Sequence, residues 1–136
     1  MKKIITYLLL PLSMIALFTS FASAAERQGI NIVRLVDKKE VTGAPGREVT
    51  ILLIELVPGG SSGLHTHPGD EYGTVTEGTL MVKIGDADFK PMTVGQTFSA
   101  PPYVQMEVMN SSAQPGKFFN VLILEKGKPA ASPVKQ

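Results

Sequence analysis

Short apolar runs rich in β-branched residues are interrupted every several residues by Gly, Pro, Asn or Asp along most of this chain, which holds 13 glycines and 10 prolines in 136 residues. A chain punctuated so often cannot sustain helices of useful length, and none of convincing amphipathic length is seen beyond the first two dozen residues. The pattern predicts an all-β fold, a sandwich or a barrel. NIVRLVD, VTILLIELV, YGTVTEG, TLMVKIG, QTFSAP, VQMEVMN and KFFNVLILEKG are the expected strands. In TLMVKIG, Leu80, Val82 and Ile84 share one face and Lys83 takes the other. VTILLIELV and FFNVLIL are apolar on both faces, so each is expected to be covered on both sides, one of them by a partner subunit in a homodimer. PGGSSG, HPGD, EGT, KPMTVG and SSAQPG carry turn chemistry and are expected as loops.

The start of the chain reads as an address. MKK supplies positive charge, IITYLLLPLSMIALFTSF an apolar run and ASAA a small-residue end, the order of a secretory signal peptide. A membrane anchor is the competing reading, and Pro11 with the polar residues in the run argues against it. Residues 1–24 are therefore expected to be removed, giving a periplasmic or secreted protein without a stable membrane anchor. Cleavage after residue 24 of 136 leaves 112 residues, the size of one domain. Residues 25–127 are assigned to that domain, and the proline-rich, polar 128–136 to an extended or flexible tail.

Loss of Lys2 and Lys3 takes the 13 basic residues to 11 against 12 acidic ones, a net charge of −1. No basic cluster remains to suggest nucleic acid or an anionic membrane as partner. The chain has no cysteine, which excludes disulfides, thiolate metal sites and a cysteine nucleophile.

Both histidines lie in GLHTHPGDEYG, as His65 and His67, with Glu71 shortly after. On a strand, residues two apart point the same way, so the imidazoles share a face while Thr66 takes the opposite one. A turn at Pro68–Gly69 would bring Glu71 back beside them. Two imidazoles and one carboxylate form the donor set of many divalent-metal sites, non-haem iron among them. A hydrogen-bonded polar cluster is the alternative use of the same residues.

The surrounding spacing resembles the cupin superfamily, whose first motif is Gly, five residues, His-x-His, three residues, Glu, six residues, Gly. Gly59, His65, His67, Glu71 and Gly78 fall on its positions. Gly95, Pro101 and Asn110 fit the frame of the second motif, in which Tyr103 stands at the usual glycine and Met106 at the usual metal-binding histidine. The resemblance implies a small single-domain cupin: a double-stranded β-helix, or jelly-roll-like barrel, with a metal in its mouth. With two histidines in the chain, a site of three histidines and one glutamate is impossible. Met106 is then either a core side chain filling the vacated space or a thioether ligand, which would point to copper. Tyr103 is read as a rim or packing aromatic whose phenol could reach a pocket ligand.

The resemblance implies a divalent transition metal, Fe, Mn, Ni, Zn or Cu, at His65, His67 and Glu71. Its partner would be a small organic molecule. Two uses remain open: an enzyme of the dioxygenase, isomerase or decarboxylase kind with Glu71 as its one candidate acid or base, or a pocket that captures a ligand or metal without turnover. A purely structural histidine cluster is the third reading. No nucleophile elbow or phosphate loop is present.

Overall fold

The computed structural model describes residues 29–135, and the proposed leader lies outside them. Ten strands form in chain order: β1 (Ile30–Glu40), β2 (Arg47–Leu56), β3 (His65–Thr66), β4 (Gly69–Glu77), β5 (Thr79–Ile84), β6 (Lys90–Thr93), β7 (Thr97–Ala100), β8 (Met106–Met109), β9 (Gly116–Glu125) and β10 (Ser132–Pro133). They make two five-stranded sheets, ordered β1-β2-β9-β4-β7 and β10-β3-β8-β5-β6. Every pairing is antiparallel. The expected all-β architecture is therefore present, and no described residue is helical.

Alternation along the strands builds the core. The inward residues of β2, β9, β5 and β8 include Ile54, Leu56, Phe118, Leu122, Leu80, Val82, Met106 and Val108, all buried. Phe98 of β7 packs on Phe118 with ring centroids 5.9 Å apart. Leu80, Val82 and Ile84 do share a face, the first two buried and Ile84 packed against the same cluster.

Two segments differ from expectation. KPMTVG supplies β6, which pairs with β5 at a sheet edge, where Pro91 opposite Met81 is tolerated because an edge strand need not donate on its outer side. The segment beyond residue 127 is extended but docked: β10 lies along β3, and Val134 N donates to Leu64 O at 3.0 Å. Among the described residues, the outer face of the two doubly apolar strands is only partly covered. Their outer residues Ile51, Leu53, Val121 and Ile123 are half-buried and Phe119 is exposed.

Candidate metal centre

The chain changes sheet at His67–Pro68. β3 belongs to one sheet and β4, starting at Gly69, to the other. His65 thus comes from one wall of the barrel, His67 from the corner, and Glu71 from the inward face of the opposite wall. The expected turn at Pro68–Gly69 is this corner rather than a reversal. It needs glycine at 69, because a Cβ there would sit 2.0 Å from Ile123 O of β9.

The three side chains converge and are buried, with 7%, 6% and 1% of their surfaces exposed for His65, His67 and Glu71. One donor atom from each lies within 4.8 Å of the other two. His65 Nε2 is 3.0 Å from His67 Nε2, and His67 Nε2 is 3.1 Å from Glu71 Oε2. The rings are edge-on, 88° apart.

Tautomers follow from the outer contacts. His65 Nδ1 lies 2.8 Å from Gly63 O and His67 Nδ1 lies 2.5 Å from Ala130 O. A carbonyl only accepts, so each Nδ1 carries the proton, and a neutral ring then presents a lone pair at Nε2. Glu71 Oε2, though close to His67, has no hydrogen-bond partner. Two imidazole nitrogens and one carboxylate oxygen therefore face one point inside a largely apolar pocket, where a shared proton or a cation offsets the crowding of acceptors. Adjacent ligands at right angles on an ion with bonds of about 2.1 Å lie about 3.0 Å apart, which matches these spacings. The donor set fits a small divalent transition metal, and the two carbonyls act as the outer partners that orient ligating imidazoles.

The donors border a cavity of about 100 Å³ whose other walls include Leu52, Ile54, Ser62, Val108, Phe118, Asn120 and Leu122. Ile30, Leu52, Ala130 and Ala131 are the lining residues that keep solvent exposure, so the cavity opens between β1 and the C-terminal segment. Sequence reasoning missed two of these contributors. Asn120 is buried in an otherwise apolar β9, and its Oδ1 has no hydrogen-bond partner. A single amide inside FFNVLIL was the available signal. Ala130 carries no side-chain signal at all.

Met106 and Tyr103 occupy different surroundings. Met106 pairs in register with His65 across β8 and β3, is fully buried in the hydrophobic cluster, and does not line the cavity. Glu107, its neighbour, faces the other way and accepts from Ser61 Oγ at 2.6 Å. Tyr103 is 55% exposed and outside the cavity wall. Its φ of 61° is the left-handed conformation that glycine adopts freely, while its N–H donates to His67 O at 2.9 Å. Its hydroxyl donates to Glu125 Oε1 at 2.5 Å and accepts from Lys128 Nζ at 3.0 Å, so the phenol points over the surface rather than toward the donors. Lys128 first, then Tyr103, hold the Glu125 carboxyl below the usual carboxylate range. Asn110 is structural: its Nδ2 donates to Leu56 O and Gln114 O, and its Oδ1 accepts from Ser112.

The profile of the cupin domain family matches residues 52–122, more than half of the chain. The chain belongs to the cupin family, and its double-stranded β-helix has neighbours among solved structures. An uncharacterized conserved protein with a double-stranded β-helix domain from Klebsiella pneumoniae aligns with TM-score 0.61 and 18% identity over 75% of this chain and 82% of its own. A cupin domain from Bordetella pertussis aligns with TM-score 0.56 and 23% identity over 72% and 96%. A recombinant oxalate oxidase in complex with glycolate aligns with TM-score 0.59 and 20% identity over 80% of this chain, which spans 57% of that enzyme. These likenesses establish the fold. No curated protein matches the sequence significantly.

Proposed function

We propose that this protein is an exported cupin that holds one divalent transition metal through His65 Nε2, His67 Nε2 and Glu71 Oε2 and binds a small organic molecule in the cavity beside it. The observation that carries this reading is the buried Glu71 Oε2, which has no hydrogen-bond partner and lies 3.1 Å from one of two imidazoles whose Nδ1 atoms are tied to carbonyls. When bound, the metal supplies Lewis-acid or redox activation of whatever occupies its open positions. The chain's own residues do the rest. The imidazoles and carboxylate hold the ion, Gly63 O and Ala130 O fix the ring tautomers, and the apolar walls exclude water from the bound molecule.

Capture without turnover is favoured as the second reading by one feature. Among the described residues, the cavity wall has no acid or base besides the three donors. Glu71 serving as a ligand leaves no separate proton carrier there, so any turnover relies on the metal.

The decisive experiment strips the purified protein with a chelator and titrates it with Mn²⁺, Fe²⁺, Co²⁺, Ni²⁺, Cu²⁺ and Zn²⁺. One equivalent should bind, and His65→Ala, His67→Ala or Glu71→Ala should abolish high-affinity binding. Failure of the wild type to bind any of these ions would show the cluster to be structural. Export and pairing belong to the same proposal. The leader-like residues 1–24 support a periplasmic or secreted location, tested by intact mass of the exported fraction, which should begin at Ala25 or Glu26. The outer row of half-buried Ile51, Leu53 and Val121 with exposed Phe119 supports a homodimer, tested by light scattering at micromolar concentration.

A further inference from the structure

Asn120 is 4% exposed, its Oδ1 lacks a hydrogen-bond partner, and it lines the same cavity as the donor triad. Leaving a buried amide oxygen unsatisfied is destabilising, and apolar residues of similar volume would remove the cost. Its neighbours on the wall, Leu52, Ile54, Phe118 and Leu122, are all of that kind. Asn120 is therefore the polar residue of an otherwise apolar stretch of β2 and β9 that borders a cavity open to solvent.

Its position relative to the metal site follows from the register. Glu71 of β4 pairs with Leu122 of β9, and Gly73 pairs with Asn120. Asn120 is thus the diagonal neighbour of Glu71 on the inward face, about 7–8 Å away along the backbone. Gly73, between them on β4, leaves room for the Phe98 ring, which a Cβ there would strike at 2.0 Å. A divalent ion on two neutral imidazoles and one carboxylate leaves a net charge of +1, which complements a monoanion. Among the described residues, the lining includes no Lys or Arg, so the anionic group of a ligand is drawn to the ion and its other end is left to Asn120. The cavity, about 100 Å³, is smaller than the roughly 150 Å³ that admits benzene, so the enclosed part of a ligand has about six non-hydrogen atoms or fewer.

We infer that Asn120 is the specificity-determining anchor of this pocket and selects a short-chain acid that carries a hydroxyl a few bonds from its carboxylate. A hydroxyl both donates and accepts, so it satisfies the amide whichever way the side chain is turned. The inference rests on the metal reading proposed above.

The test uses purified protein reconstituted with Co²⁺, whose visible spectrum reports ligand entry, titrated with propanoate and with 3-hydroxypropanoate, which differ by one hydroxyl. Wild type should bind the hydroxy acid at least tenfold more tightly. Asn120→Leu should bring the ratio to within twofold of unity while Co²⁺ affinity and thermal midpoint hold or rise. Asn120→Ala, which introduces no bulk, should do the same to the ratio if the leucine variant misfolds. Equal binding of the two acids by wild type, with water alone satisfying the amide, would overturn the inference, as would a preference that survives both substitutions through chelation of the ion. Absence of Co²⁺ binding by wild type would overturn the metal reading and this inference together, whereas Co²⁺ binding with no effect of Asn120 overturns the inference alone.

Discussion

Removing the chain beyond Lys128 tests whether the C-terminal segment is part of the metal centre. The truncation spares the Lys128–Glu125 ion pair of 2.7 Å but deletes the Ala130 carbonyl that accepts from His67 Nδ1 at 2.5 Å. It also deletes β10, whose Ser132 and Pro133 pair with Thr66 and His65, and the Ala130–Ala131 part of the cavity wall. Loss of an outer partner of a ligating histidine lowers metal affinity by about 10–100-fold, or about 1.4–2.8 kcal/mol. The lost backbone hydrogen bonds, at about 1 kcal/mol each, cost roughly 1–2 kcal/mol of stability. For a domain of this size that is a fall of about 4–10 °C in thermal midpoint. Competition with a chromophoric chelator measures the affinity, and ring ¹⁵N shifts of the metal-free protein report the tautomers. His67 should lose its fixed Nδ1–H form while His65, held by Gly63 O, keeps it. Affinity within twofold of the full chain, with the His67 tautomer still fixed in a folded truncation, would refute the role assigned to this segment.

Further outcomes follow from the packing and the site. Met106→Ala should destabilise the protein by about 2–5 kcal/mol, read by chemical denaturation, yet leave metal stoichiometry unchanged if the thioether is core; selective loss of copper binding would make it a ligand. Met106→His places an imidazole in register with His65 and should tighten nickel, zinc or iron binding, measured by the same chelator competition. Metal at 100 times its dissociation constant should add about 2.7 kcal/mol of stability, seen as a raised thermal midpoint that disappears in Glu71→Ala. Gly69→Ala forces a Cβ onto the Ile123 carbonyl and should destabilise by about 1–3 kcal/mol or prevent folding, scored by circular dichroism and soluble yield.

What could be read from the sequence, and what could not, divides by range along the chain. Strand existence was legible because alternation and turn residues are local, and β2, β5, β8 and β9 stand where the pattern places them. β6 was hidden by Pro91, which reads as a breaker although an edge strand tolerates it, and β10 by a composition that reads as tail, since its pairing depends on β3 far back in the chain. The donor triad was legible for the same reason of range. Its members span seven positions, and the one misreading, a reversal at Pro68–Gly69 in place of a change of sheet, still brings Glu71 to the histidines.

The partners that complete the site come from far away in sequence. Ala130 reaches His67 across 63 positions through its backbone, and a carbonyl leaves no trace in residue type. Asn120 arrives through the register of β9 on β4, so its place beside Glu71 depends on which residue of β9 faces which residue of β4. A shift of one residue would turn Asn120 to the outer face, exchanging it with Phe119, and the amide would be satisfied by water. That dependence gives the apolar residues around it a function beyond burial. Phe118 and Leu122, buried on either side of Asn120, pin the register and so hold the single polar group of that strand's inner face toward the donors. The core of this barrel and the selectivity of its pocket are in this sense set by the same strand pairing.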